Sequence, residues 1–359
     1  MQKKTAVVLF QLGGPDSPEA IEPFLYNLFC DPDIINFPGA FLARKPLARF
    51  IALRRAKKVA GHYAEIGGRS PIIDLTMAQA DALDRELNKL LPARVFVAMR
   101  YWHPLTREVI DELKKERYER IILLPLYPQF SKATTVSSMK EWDRQCRIHN
   151  FHDVPTASIC CYHNHPMYVE AIVDKINTSY AKFADVNPLD VDLVFSAHGV
   201  PVSLIKEGDP YQRQIEETIR LVCERGGWIS PHHVCFQSKV GPSEWLKPSL
   251  DTTMRALTEK GRKYLLVVPI AFVTEHIETL HEIDMEAREH ALRLGIQRFE
   301  MMPALNDAPK FIACLVDLVM KKIASTTIGL DTCRRLFQRD PGRTSPVICP
   351  FWAENAGGH

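Results

Sequence analysis

The stretch VDLVFSA, residues 191–197, decides the fold. It is short, rich in branched and aromatic residues, and bounded by polar segments, so it reads as a buried strand. Runs of the same kind recur on either side: AVVLFQL (6–12), RVFVAMRY (94–101), ERIILLPLY (119–127), HHVCFQS (232–238), KYLLVVPIAF (263–272) and RFEMMPAL (298–305). Between them lie longer amphipathic stretches such as IDLTMAQADALDRELNKLL (73–91) and YQRQIEETIRLVCERG (211–226), with apolar residues at helical spacing. Strands alternating with helices build parallel sheets covered on both faces, so the fold class is α/β.

A chain of 359 residues exceeds one comfortable hydrophobic core. The strands cluster before residue 130 and after residue 190, which predicts two similar α/β units over 1–165 and 166–326. The run DAPKFIACLVDLVMKKIA (307–324) reads as a last helix packing back on the first unit. Residues 327–359 show no sustained period and are expected to form an irregular tail.

Composition narrows the function by exclusion. The chain is 46% hydrophobic and 25% charged with a net charge of +2, so charge-based recognition must come from local patches. The nine cysteines form no C-x-x-C pair and read as small buried thiols in a reducing compartment. The longest apolar run, YLLVVPIAFV, is about half the roughly 20 residues a membrane span needs, and a cytoplasmic protein is expected. Gly13-Gly14 is followed by no G-x-G-x-x-G or Walker pattern, which argues against nucleotide binding. Basic residues are not interleaved with exposed aromatics, which argues against nucleic acid.

Open parallel sheets bind ligands beyond the carboxyl ends of their strands. Those ends hold Arg100-Tyr101-Trp102-His103, Tyr127-Pro128-Gln129-Phe130, Ser196-Ala197-His198-Gly199 and Gln237-Ser238-Lys239, with Trp245 and Phe272 nearby. Aromatics, cations, a histidine and carboxylates suit a flat aromatic ligand with anionic substituents. His198 fits either a hydrogen-bonded structural histidine or a base or metal ligand. Glu275, Glu278, Glu282, Glu286 and Glu289 recur at three- and four-residue steps, and such like-charge pairs destabilise a helix by roughly 0.2–0.5 kcal/mol each. The stripe fits an exposed acidic face or a row of oxygen ligands for divalent cations, with Glu278 nearest the cleft. His276 would point elsewhere on a regular helix, whereas a π-bulge would bring it and Glu278 to one site.

From Ile34 to Ala64 there is no acidic residue, while Arg44, Lys45, Arg49, Arg54, Arg55, Lys57 and Lys58 interleave with apolar side chains. Residues 39–58 therefore fit a solvated basic helix, a contact with an anionic membrane surface, or a lip that steers a carboxylated ligand. Pro46 interrupts the run, predicting two short helices.

Seven motifs together, QLGGPDS, HYAEIGGRSP, RYWHPLT, LYPQFSKATTVSS, FSAHGVP, QSKVGPSEWL and PIAFVTEHIETLHEID, resemble those of the ferrochelatase family in order and spacing. The resemblance covers roughly residues 5–320. It implies two Rossmann-like domains enclosing a porphyrin cleft, with ferrous iron and a porphyrin as substrates. It places the catalytic histidine at His198 and the essential glutamate at Glu278, with Glu282 and Glu286 joining them in metal handling. Porphyrin-lining positions fall on Leu12, Arg100, Tyr101, Tyr127, Lys239, Trp245 and Phe272, and the rim on Arg54-Arg55. Some members hold an iron–sulfur cluster through three C-terminal cysteines and one upstream. The upstream position is Lys132 here and only Cys333 and Cys349 lie in the tail, so no cluster and no cofactor are expected.

The N-terminal LGGPDSPEAIEPFLYNLFCDPDIINFP looks like members that use protoporphyrin IX. The expected reaction is therefore formation of protohaem, the terminal step of haem biosynthesis. A coproporphyrin III ferrochelatase, a cobalt or nickel chelatase and a tetrapyrrole carrier are the alternatives. Peripheral contact with the inner membrane surface is the expected role of residues 39–58.

Overall fold

The structure, a computed structural model, describes residues 4–32, 34, 40–238 and 243–325, with only the backbone of 40–42. Two four-stranded sheets form its frame, every pairing parallel. The first contains β1 (Thr5–Gln11), β2 (Ala93–Met99), β3 (Arg120–Pro125) and β4 (Thr156–Ser158) in the order β2-β1-β3-β4. The second contains β5 (Val191–His198), β6 (His232–Gln237), β7 (Tyr264–Pro269) and β8 (Arg298–Met301) in the order β6-β5-β7-β8. The two orders are the same, so each half repeats one topology. The central strands β1 and β5 are buried along their length because helices cover both faces, and only His198 at the end of β5 emerges. β4 was not legible in the sequence: a three-residue TAS segment is too short and too polar to show a period.

One apolar core runs through both halves, joining Val7 and Leu83 to Phe195, Leu266 and Phe311. The last helix, Pro309–Ala324, packs on the helix Ile72–Leu87 of the first half and on Pro166–Tyr180. A buried amide also ties the halves together. Gln79 Nε2 donates to Val273 O at 3.2 Å and Asn306 O at 2.9 Å, and its Oε1 accepts from Thr274 Oγ1 at 3.0 Å. Fully partnered, this side chain avoids the desolvation cost of a buried polar group and fixes the loop after β7. Of the cysteines read as small thiols, Cys146, Cys235 and Cys314 are free and buried.

The basic run departs from expectation. A single helix, Ala40–Glu65, passes through Pro46 rather than breaking there. Proline inside a helix costs about 3 kcal/mol. Packing offsets that cost, because Ala48 and Ala52 are buried with Ile21, Phe24, Leu25 and Phe29 of the helix Ile21–Cys30. Residue 39, the first of the expected membrane-contact stretch, lies outside the described residues, as do Lys239 and the tail 327–359.

Candidate active site

β5 delivers His198 to the carboxyl edge of the second sheet, where its Nδ1 lies 2.7 Å from Glu278 Oε2. The two side chains are partners on one wall rather than groups facing across a gap. Tyr211 donates to the His198 carbonyl at 3.0 Å, holding the strand end. Phe272 and Trp245 stand edge-on to the imidazole, with ring centroids 6.4 Å and 6.5 Å away. Gly199 permits this approach, since a Cβ there would meet Gln237 O at 3.0 Å and the Trp245 ring at 3.4 Å. Burial disfavours charge on both members of the pair. The Glu278 carboxylate nonetheless raises the His198 pKa above its ordinary value. Burial would likewise raise the Glu278 pKa, but His198 with His276 holds it down at about 2.

Glu278 opens a π-helical segment, Glu278–Ala287, that continues as the helix Arg288–Leu294. A four-residue step overshoots one turn of an α-helix, while the wider π turn brings the step just short of a full turn. Glu278, Glu282 and Glu286 follow one another at four-residue steps along this segment. Ser238, at φ 59, lies in the left-handed region, which costs a non-glycine residue roughly 1–2 kcal/mol. Its hydroxyl donates to Glu282 at 2.6 Å and reaches Glu278 at 3.5 Å. Burial and the Glu278 charge push Glu282 up to about 7. The row therefore runs from a carboxyl held low by its histidines to one pushed up towards neutrality.

Two members of the sequence stripe leave it. Glu275 precedes the helical segment, so its carboxylate turns inward to accept from Ala304 N at 2.6 Å and from Thr279 Oγ1. Glu289 lies beyond the π segment and pairs with Arg293. His276 also precedes the helix; its Nδ1 lies 3.1 Å from Thr274 O and its ring 4.7 Å from Phe272, near enough to act on Glu278.

A ferrochelatase family model matches residues 4–323 of this chain. The ferrochelatase of Geotalea uraniireducens is 47% identical over 325 residues, covering 90% of this chain and 100% of that one. The ferrochelatase of a Picosynechococcus species is 44% identical over 337 residues, covering 93% of this chain and 85% of its own. The chain belongs to the ferrochelatase family. It is a metal chelatase, a lyase. Among solved structures, SirB from Bacillus subtilis with Fe3+ aligns with a TM-score of 0.55 at 12% identity, covering 92% of this chain and 100% of that chain. That likeness shows a shared fold.

The positions that resemblance to the ferrochelatases selected separate into two groups. His198, Glu278, Glu282, Trp245 and Phe272 gather at the second sheet's edge, with Glu286 at the outer end of the row. Leu12, Arg100, Tyr101 and Tyr127 belong to the first half. Leu12 joins the apolar cluster of Trp102 and Ile277, which brings it beside the start of the π segment. Arg100 donates to Asp31 at 2.7 Å and to Ser137 at 2.8 Å. Tyr101 exposes 1% of its surface and gives its hydroxyl to Asp31 at 2.6 Å, so its ring is enclosed in protein. Tyr127 is half-buried, and burial raises its pKa. Lys239 falls outside the described residues, and Lys132 pairs with Glu207 at 3.1 Å.

Sequence reasoning passed over Ser238, Tyr63 and Asp31. Ser238 sits in a motif already quoted, but a serine alone carries no signal; only its backbone geometry singles it out. Tyr63 is buried on the helix Ala40–Glu65 close enough to Glu278 and Glu282 for their charges to raise its pKa further. The acidic row therefore lies where the two halves meet.

Proposed function

We propose that the protein inserts ferrous iron into protoporphyrin IX to form protohaem, the last step of haem synthesis. The observation that carries this reading is the His198–Glu278 pair, set at a strand end between Trp245 and Phe272 and continued by a carboxyl group that titrates near pH 7. Insertion exchanges the two pyrrole protons for a dication, so the site must bind a cation and remove protons. In the resting pair Glu278 favours the protonated form of the imidazole. A ferrous ion arriving at Glu278 would cancel the field that retains that proton, freeing His198 to act as a base. Ser238 and Glu282 supply the next proton acceptor outward.

Protoporphyrin IX is the preferred macrocycle for two reasons. The Arg100 charge is already matched by Asp31, and the neighbouring cluster of Leu12, Trp102 and Ile277 is apolar. Such a wall suits vinyl edges better than the additional propionates of coproporphyrin III. No resident cofactor enters the scheme. Residue 132 is a lysine engaged with Glu207, where an iron–sulfur cluster would need a thiolate.

We place the protein in the cytoplasm, touching the inner membrane surface peripherally. Phe50 and Leu53 are 53% and 46% exposed on the helix Ala40–Glu65, and Arg54 lies 4.7 Å from the Phe50 ring. An apolar edge flanked by cations is the composition of an interfacial contact. Among the described residues no helix is long and apolar enough to cross a membrane.

Anaerobic incubation with ferrous iron and either porphyrin tests the reading. Haem absorbance with a higher kcat/KM for protoporphyrin IX is expected. Faster metallation of coproporphyrin III would change the substrate, insertion of cobalt or nickel but not iron would change the metal, and tight binding without metallation would make the protein a carrier.

A further inference from the structure

We propose that Asp209 is a positioning residue for His198, acting through Tyr211 and tying the place of the imidazole to the loop that follows β3 in the first half. The need for such a support lies in the sheet. Backbone carbonyls two residues apart in a strand point to the same side. Ser196 O accepts from Ile270 N at 3.0 Å on the edge shared with β7, but the pairing of β5 with β7 ends at Ser196. Two residues on, the His198 carbonyl faces that edge with no strand beside it, and the Tyr211 hydroxyl takes the strand's place at 3.0 Å. The place of Tyr211 therefore sets the last residue of β5, and with it the 2.7 Å contact of His198 with Glu278.

Asp209 fixes Tyr211 from the other end. Its Oδ1 accepts from Tyr211 N at 3.0 Å, where the helix Tyr211–Gly226 begins. Its Oδ2 accepts from Lys132 N at 2.7 Å and from Ser131 Oγ at 3.1 Å, both in the first half. Ser131 in turn caps the π segment Lys132–Val136 by accepting from Ala133 N at 3.2 Å. One carboxylate thus holds the first turn of two helical segments, one from each half. Asp209 is 5% exposed, and a carboxylate so enclosed is tolerated only while its acceptor sites are filled. The same loop docks further along the helix, with Phe130 N donating to Gln214 Oε1 at 2.7 Å and Gln129 Nε2 to Thr218 Oγ1 at 3.2 Å. A shift of the loop that carries Tyr127 is therefore passed to the His198 carbonyl through one carboxylate and one phenol ring.

The effect on turnover rests on the chelatase reading above; the placement of His198 does not. Asp209→Asn must turn an amide donor towards one of the donors that the carboxylate accepts, and Tyr211→Phe removes the hydroxyl alone. A misplacement of roughly 1 Å costs a reacting pair about 10²-fold, so the smaller shift here should lower kcat for iron insertion about tenfold in each variant. The KM for porphyrin should change by less than about twofold, because neither side chain is placed against the macrocycle. Since both act on one contact, the double variant should lose no more than the more affected single. Losses that multiply would show two independent roles and overturn the relay, as would a wild-type kcat in folded Asp209→Asn with only its melting temperature lowered. Should Asp209→Asn fail to fold, Ser131→Ala takes its place in the cycle, because it removes the first half's hydroxyl from the same carboxylate. Histidine-selective NMR spectra of the full-length protein give a readout free of turnover. The His198 signals, identified by their absence in His198→Ala, should move in each variant. Unmoved His198 signals would overturn the proposal, whereas a wild-type protein that made no haem would sink the chelatase reading and leave the spectra to decide.

Discussion

The two halves share a strand order, and each follows its third strand with a π-helical segment: Lys132–Val136 after β3 and Glu278–Ala287 after β7. What they carry differs. In the first half, charge is matched inside the fold: Asp31 accepts from Arg100, Tyr101 and Ser137, while Ser131 and Lys132 N donate across to Asp209 of the second half. In the second half, Glu278, Glu282 and Glu286 stand in a row with a single imidazole bonded to the innermost. The scaffold is therefore not what makes a site reactive. A satisfied network rigidifies, while a row of carboxylates with too few counter-charges is left with affinity for protons and cations.

The largest test of this contrast is His198→Ala. The side chain is about one-third exposed, so the fold should survive its loss. Iron insertion should fall at least about 10²-fold, the usual cost of losing an acid–base group. Anaerobic turnover beside an unchanged melting curve checks both halves of the statement, and near-normal turnover would remove His198 from the chemistry.

Glu278→Gln comes next and has a sign in pH. Insertion needs the neutral imidazole, so activity is lost as pH falls through the raised pKa of His198. Removing the carboxylate leaves burial uncompensated, and burial lowers a histidine pKa. The acid limb of kcat/KM should therefore move to lower pH while the maximal rate drops, with porphyrin binding retained. A limb that stays in place would show that another group titrates. Glu282→Gln should act more weakly, costing about tenfold or less in rate and removing an inflection near 7.

The sequence was most readable where a period or a motif repeats. The buried strands stood out because β1 and β5 carry short runs rich in branched and aromatic residues, and the FSAHG and H-x-E-T-L motifs led to His198 and Glu278. Three features stayed hidden for physical reasons. The continuation of the helix through Pro46 depends on Ala48 and Ala52 finding a partner surface far away in sequence. The withdrawal of Glu275 and Glu289 from the row depends on where π winding begins and ends, which glutamates at three- and four-residue steps do not reveal. Ser238 and Asp209 matter through backbone geometry and hydrogen bonds across the halves, neither of which a single residue type encodes.

Asp31→Ala should have the smallest effect on the chemical step and the largest on stability. The Asp31 side chain is fully buried, and Arg100 retains only 17% exposure. Losing one partner of such a pair strands the other's charge, at a cost of about 3–5 kcal/mol. Urea unfolding should show that loss, with kcat close to wild type at a temperature where the variant is folded. Porphyrin affinity should change more than kcat, because a released Arg100 offers an unmatched cation to a propionate. A fall in kcat comparable to that of His198→Ala would mean that the first half takes part in proton or metal transfer, and the division of labour between the two sheets would be wrong.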